Sequence, residues 1–305
     1  MTLPCRPDAT CALSAPYAPG APSAEGRGRR RWAAALACAG LLPTLLRAQS
    51  PPVSAAPRVT PVRVGLTPFL SARSLMVSYE PLRQHLQARL GRTVEFFSAR
   101  DFRALLDTAR QPEQPFTMMP VHLARLLIED AGFTLLVRST LESPLSVWAL
   151  PDTWRALSAP GAMAGRRVAT ADALTLAALK LERWRAEQGL EGTLQIRPHP
   201  NIGAAVLALR RGEVDLALAP ESALRELPDG PGADLRSVVQ LGVIPSPCWV
   251  ARPGVAPAES AAFREALVSF EGAGDRSSAA RYVAATPADL ARWRPYVVMA
   301  RERLR

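Results

Sequence analysis

The chain has 305 residues, of which 48% are hydrophobic and 21% charged, with a formal net charge of +10. That composition excludes a disordered or fibrous chain and provides apolar material for one large or two medium α/β cores. The positive charge is almost wholly arginine, with Lys180 the single lysine, and it is scattered along the chain, so it does not make a nucleic-acid surface.

In chain order, Arg27, Arg29, Arg30 and Arg31 precede the apolar stretch 32–46, which is too short to anchor stably in a bilayer, and Leu46-Arg47-Ala48 ends in a small residue suited to cleavage. Residues 1–48 therefore read as an export signal cleaved near Ala48, and the Arg-Arg pair before a bulky residue resembles a twin-arginine signal; an uncleaved anchor is the alternative. Removing this segment takes away six arginines and two acids, so the net charge falls from +10 to +6 over the remaining 257 residues. It also takes away Cys5, Cys11 and Cys38. Cys248 stays alone, so the exported chain has no internal disulfide and must be held by its cores; beside Trp249 it reads as a small buried apolar residue. No second long apolar run follows, and the expectation is a soluble periplasmic monomer.

Residues 49–61 form a Pro/Ala/Ser leader without periodicity. Beyond it, short apolar runs alternate with helical patterns, which predicts parallel βα units. The runs are VRVGLTPF, VEFFSA, FTMMPV, FTLLVRS, SVWALP, RRVATA, LQIRPH, VDLALAP and RSVVQLGV; the helices fall at 75–90, 101–109, 122–131, 174–188, 202–211 and 222–227. Leu174, Ala178, Leu181 and Trp184 make one apolar stripe, and Trp184 reads as core. The order of elements predicts an α/β protein of two lobes with mixed, mostly parallel sheets. Residues 62–142 and 245–305 form lobe 1, and residues 143–244 form lobe 2. RSVVQLGVIPSPCWVAR carries the chain back as a long strand bent at Pro245 and Pro247, and the last helices pack on lobe 1.

VRVGLTPF, YEPLRQHLQARLGRTVEFF, LSAPGAMAGRRVAT and AAVLALRRGEVDLALAPESALREL together resemble the landmarks of type II periplasmic solute-binding proteins of the phosphate/phosphite/phosphonate ABC-transporter class, over residues 62–270. The resemblance implies a two-crossing hinge and a protein that traps a small solute between its lobes for a membrane permease, with helix N-termini and post-strand loops around the ligand. Physics asks for the same placement, because ligands of open α/β sheets sit beyond the carboxyl ends of the strands and helix starts offer unpaired N–H groups.

On that basis Thr67, Phe69 and Ser71 form one wall of the cleft, with the alternative that Thr67 and Ser71 only cap and turn the chain. Met119 and His122 lie where the resemblance places a cleft loop after the third strand; His122 faces ligand or caps the helix. Thr170, Asp172 and Thr175 open the next candidate helix, where the resemblance implies a dense hydroxyl run. Here the sequence reads DALT, and Asp172 repels a dianion unless it points away. A hydrogen bond to a charged group contributes about 1.5–3 kcal/mol, so losing two or three removes much of the ~8 kcal/mol that a micromolar ligand needs. His199 and Asn201 lie near a position where the resemblance implies a histidine. Glu221 binds a ligand amine or caps the helix that follows, and Asp215 reads as a structural contact.

The expected activity is solute binding without catalysis, of a phosphonate-like oxyanion or a small organic anion or zwitterion, with no cofactor, metal or nucleic-acid partner. The alternative is a sensory subunit signalling to a membrane histidine kinase. An enzyme is third, because GxSxG, HExxH and GxxxxGK motifs are missing and the three histidines, His85, His122 and His199, are dispersed.

Overall fold

The computed structural model describes residues 60–157, 160–227, 232, 234–272 and 281–305. The expected export signal and all of the leader up to residue 59 lie outside the described residues.

Strand β1 (Val62–Leu66) buries Val62, Val64 and Leu66 and is followed by α1 (Ala72–Leu90). The helix begins three residues before its apolar stripe does, because the Ser71 hydroxyl accepts the Ser74 N–H and closes the first turn. Leu75, Tyr79, Leu82 and Leu86 make its buried face, and Gly91 ends it at φ 61°, a left-handed value that favours glycine. Then follow β2 (Val94–Ser98), α2 (Phe102–Ala109), β3 (Phe116–Met119), α3 (Val121–Ala131) and β4 (Thr134–Ser139). β5 (Glu142–Ala149) leads to the single turn α4 (Pro151–Trp154) and a short 3-10 turn (Pro160–Met163). Next come β6 (Arg167–Thr170), α5 (Leu176–Glu187), β7 (Gln195–Pro198), α6 (Ile202–Arg210), β8 (Leu216–Pro220) and α7 (Glu221–Glu226). The chain then runs through β9 (Arg236–Pro245), β10 (Cys248–Ala251), α8 (Pro257–Val268), β11 (Tyr282–Ala284), a 3-10 segment (Pro287–Trp293) and α9 (Arg294–Leu304).

These strands build two mixed sheets, in the orders β11-β4-β10-β3-β1-β2 and β7-β6-β8-β5-β9. Each sheet contains a parallel triple made by βα units, β3-β1-β2 in the first and β7-β6-β8 in the second. The other pairings are antiparallel and arise from the strands nearest the crossings, β4, β5, β9, β10 and β11. The chain leaves the first sheet after Ser139 and enters the second at Glu142; it returns between Pro245 and Cys248. The prolines Pro245 and Pro247 end one ladder and start the next, as a residue without an N–H does. β10 inserts between β3 and β4 with all four residues buried.

Packing on the first sheet is tight. A Cβ on Gly65 would stand 3.0 Å from the Thr117 methyl and 3.1 Å from Phe97, so only glycine fits that point of β1 without displacement. α8 is held by Phe263, whose ring stacks on Phe116 at 3.8 Å between centroids. α9 contacts elements of both sheets. It lies on α3, where Arg301 pairs with Glu129 and Asp130, and it also reaches α5, where Arg303 pairs with Glu182 and donates to the Ala173 carbonyl. Trp184 packs half-buried against the core of the second sheet.

Candidate functional site

In each parallel triple the first strand lies in the middle, so the chain departs to opposite sides after β1 and after β6. Such switch points leave a crevice at the carboxyl ends of the strands. The two loops that follow, Thr67–Phe69 after β1 and the 171–175 segment after β6, meet at one cavity of about 120 Å³. Around it stand the starts of five helices: Phe102 of α2, Pro120 and Val121 before and in α3, Thr175, Leu176 and Ala177 of α5, Ile202 of α6, and Pro220, Ser222 and Ala223 of α7. Ser143 of β5 and the crossing segment from Ile244 to Pro247 close one side, and Tyr79 and Glu226 complete the wall.

Helix starts carry unpaired N–H groups and a fractional positive charge. Here some are already answered. Asp101 caps α2, Thr175 caps α5 and Asn201 caps α6 through their side-chain oxygens. α3 and α7 instead begin at Pro120 and Pro220, which have no capping oxygen. The Ser222 N–H of α7 is taken by the Ser143 hydroxyl at 2.9 Å. Ser143 and Thr175 thus act as acceptors toward backbone N–H groups; Ser143 in turn donates its proton to the Pro144 carbonyl at 3.4 Å, whereas the Thr175 hydroxyl proton is left able to donate.

Three of the eleven residues singled out from the sequence line this cavity. Thr67 is 2% exposed and donates to the Met118 carbonyl at 2.8 Å. Phe69 lines the wall, and its carbonyl accepts the Ile202 N–H at 3.2 Å, from the start of α6. Thr175 both caps α5 and faces the space.

The others stand elsewhere, each for a local reason. Ser71 is exposed and caps α1. Met119 is wholly buried in the core beneath the first sheet, since on a strand its side chain alternates away from its neighbour's face. His122 is wholly buried, and its Nε2 lies 2.9 Å from the Leu174 carbonyl. Val121, one residue earlier, takes the cavity-facing place. Thr170 is buried and donates to the Ala171 carbonyl. Asp172 points away from the cavity, accepting the Phe102 N–H at 3.0 Å and the Leu174 N–H at 2.8 Å. His199 is half-buried outside the lining, and Asn201 spends its oxygen on the Ala204 N–H. Glu221 pairs with Arg225 at 2.8 Å rather than serving as the cap, a place that Pro220 takes. Asp215 is structural, holding Arg167 through its side chain and its N–H, and the guanidinium keeps the carboxyl below its usual range.

Sequence reasoning missed Tyr79, Phe102, Ser143, Ser222, Glu226 and the Pro-Ser-Pro crossing as wall. Of these, only the crossing carried a local signal, its two prolines. Among the described residues, no group of three or more His, Cys, Asp or Glu side chains is placed to hold a metal ion, and no helix is long and apolar enough to cross a membrane. Cys248 is fully buried, and burial pushes its thiol up to about 12.

Two sheets joined by two crossings, with a cavity between them at the strand ends, define a type II periplasmic binding protein fold. The chain belongs to the family described as ABC transporter, phosphonate, periplasmic substrate-binding protein, whose model matches residues 64–293. Solved structures agree on the fold. PhnD1 from Prochlorococcus marinus, in complex with methylphosphonate, superposes with a TM-score of 0.67 at 9% identity, covering 79% of this chain and 98% of that one. A binding protein component of an ABC phosphonate transporter from Pseudomonas aeruginosa gives 0.66 at 13% identity over 79% and 86%. XAC2383 from Xanthomonas citri, bound to ATP, gives 0.62 at 14% identity over 79% and 98%. No curated protein matches the sequence.

Proposed function

We propose that this chain is the periplasmic component of an ABC transporter that captures a small solute without chemically altering it and hands it to a membrane permease. The observation that carries the reading is the cavity itself, whose wall is contributed by helix starts of both sheets. A solute there touches residues 62–142 and 245–305 on one side and residues 143–244 on the other. It makes the full set of contacts only when the two lobes close about the crossings near 140 and 246, and so it shifts the population toward the closed form by its differential affinity. The permease then reads the closed shape.

The family's name and the methylphosphonate held by PhnD1 put phosphonates first among solutes to test. The experiment is to isolate the exported protein from its own cells under mild conditions and weigh it by native mass spectrometry before and after unfolding. The expected result is a bound mass of a small organic molecule that is released on unfolding, together with a smaller radius of gyration by solution scattering for the loaded form. A protein that carries nothing and turns over added phosphonate or ester substrates would overturn the reading.

A further inference from the structure

Around the cavity, the groups that would seat an anion are spent inside the protein. Phe102 at the start of α2 gives its N–H to the Asp172 carboxylate at 3.0 Å, and Ile202 at the start of α6 gives its N–H to the Phe69 carbonyl at 3.2 Å. The Ser222 N–H of α7 goes to the Ser143 hydroxyl at 2.9 Å, and the Ala178 N–H of α5 goes to the Thr175 hydroxyl at 3.1 Å. Of the helix starts at the wall, α3 is left with no side-chain cap, and one helix start supplies only about half a unit of positive charge.

Formal charge does not make up the difference. The described residues that line the cavity include no arginine, lysine or histidine, and the carboxylate among them, Glu226, is already partnered within the protein. Pro120, Pro220, Pro245 and Pro247 take wall positions and bring no N–H. Thr67 donates its proton to the Met118 carbonyl, and Ser143 donates its own to the Pro144 carbonyl. The larger side chains of the wall are apolar, among them Phe69, Phe102, Leu176, Ile202 and Ile244, and the Thr175 hydroxyl proton remains able to donate. A charged group moved from water to such a wall loses its hydration and regains neither an ionic partner nor a full set of hydrogen bonds, whereas an apolar body gains by leaving water.

Resting on the solute-trap reading above, we infer that the solute is a small uncharged organic molecule, with an aliphatic or aromatic body against the apolar wall and one oxygen that accepts from the Thr175 hydroxyl. The volume of about 120 Å³ is close to the ~150 Å³ of a cavity that admits benzene, so the solute has on the order of six non-hydrogen atoms.

The test is calorimetric titration of the exported protein with isobutyramide and cyclopentanone, beside isobutyrate and methylphosphonate. Isobutyramide and isobutyrate share a branched body and a number of non-hydrogen atoms and differ in charge. The amide or the ketone should bind about ten-fold or more tightly than either anion. Ser246→Lys sets a cation at a half-buried place in the crossing segment of the wall, and it should narrow the preference for isobutyramide over isobutyrate by about five-fold or more. An unchanged ratio in that variant would mean that the probes bind outside the cavity, which overturns the inference; if the variant does not fold, the comparison in the parent protein decides alone. Equal or tighter binding of isobutyrate or methylphosphonate by the parent would overturn the uncharged solute and leave the trap standing, as would a phosphorus-containing mass released from protein isolated from its own cells. A protein that binds none of the probes overturns the inference too, and it overturns the trap as well only if the protein from its own cells also carries no solute.

Discussion

The imidazole of His122, at the start of α3 beside the first sheet, meets the backbone carbonyl of Leu174 from the second sheet's β6–α5 loop at 2.9 Å. A carbonyl can only accept, so Nε2 carries the proton, and Nδ1 is buried with no hydrogen-bond partner among the described residues. The ring is therefore neutral where it lies. With Asp172 on Phe102 and Phe69 on Ile202, it forms a set of bonds that pass directly between the two halves.

Burial holds His122 down to about 4, with the Leu174 bond opposing part of that shift. The ordinary value is about 6.5, so between roughly pH 6.5 and 4 the unfolded or opened chain binds a proton that the closed one does not. Stability from this site is complete above about pH 6.5 and is lost as the pH falls toward 4, on the order of 3 kcal/mol in all. Urea unfolding of the protein and of His122→Gln at pH 7.5 and pH 4.5 should show the extra acid loss only in the parent. An NMR titration that gives His122 an ordinary imidazole pKa would show instead that the ring is solvated.

Asp172→Ala removes the acceptor of two backbone N–H groups, Phe102 and Leu174. The expected loss is about 1–3 kcal/mol, the usual cost of stranding a capping contact or a buried donor. Asp172→Asn keeps one acceptor oxygen and should lose less. Solution scattering should show Asp172→Ala more open than the parent at equal ligand concentration, and an unchanged profile would mean that this bridge does not hold the halves together.

Thr175 serves α5 and the cavity at once. Thr175→Ala should cost about 0.5–2 kcal/mol of stability by loss of the cap, and should weaken the ligand in addition. Thr175→Ser keeps the hydroxyl and should restore both. If calorimetry finds the same ligand affinity in Thr175→Ala as in the parent, the hydroxyl donates nothing to the solute.

Phe263 offers the opposite pattern. It is fully buried, stacked on Phe116 and absent from the cavity wall, so Phe263→Ala should destabilise the fold by about 3–5 kcal/mol with no change in ligand affinity under conditions where the protein is folded. A change in affinity without loss of stability would contradict this assignment of roles.

Much of the fold was legible in the chain. VRVGLTPF, FTMMPV and VDLALAP are apolar runs bounded by turn residues, and each became a largely buried strand. The stripe Leu75, Tyr79, Leu82 and Leu86 shows a helix because the spacing of buried residues along one helix is a local property. Even the bend at Pro245 and Pro247 was readable, since a proline ends a ladder wherever it falls.

The site was legible only as a region. Sequence placed the starts of α1, α3, α5, α6 and α7 near a cleft, yet it had no means of telling Val121 from His122 or Glu226 from Glu221. Neighbouring residues on a helix point about 100° apart, and which of them meets the cavity depends on how the helix is rolled against its sheet. Polar side chains at helix starts also have a local use that competes with a ligand. Ser71, Asp172 and Asn201 each bind backbone N–H groups, and the sequence looks the same whether such an oxygen turns inward or back.

By itself, then, the sequence determined the elements, their alternation and the family, because strand and helix patterns and turn chemistry are set by residues close along the chain. Only the tertiary structure decided which side chains share the cavity, that His122 and Asp172 fasten one half to the other, and that α9 touches both. Those relations join residues 52 to 172 positions apart, and they follow from how rigid, packed elements dock against each other.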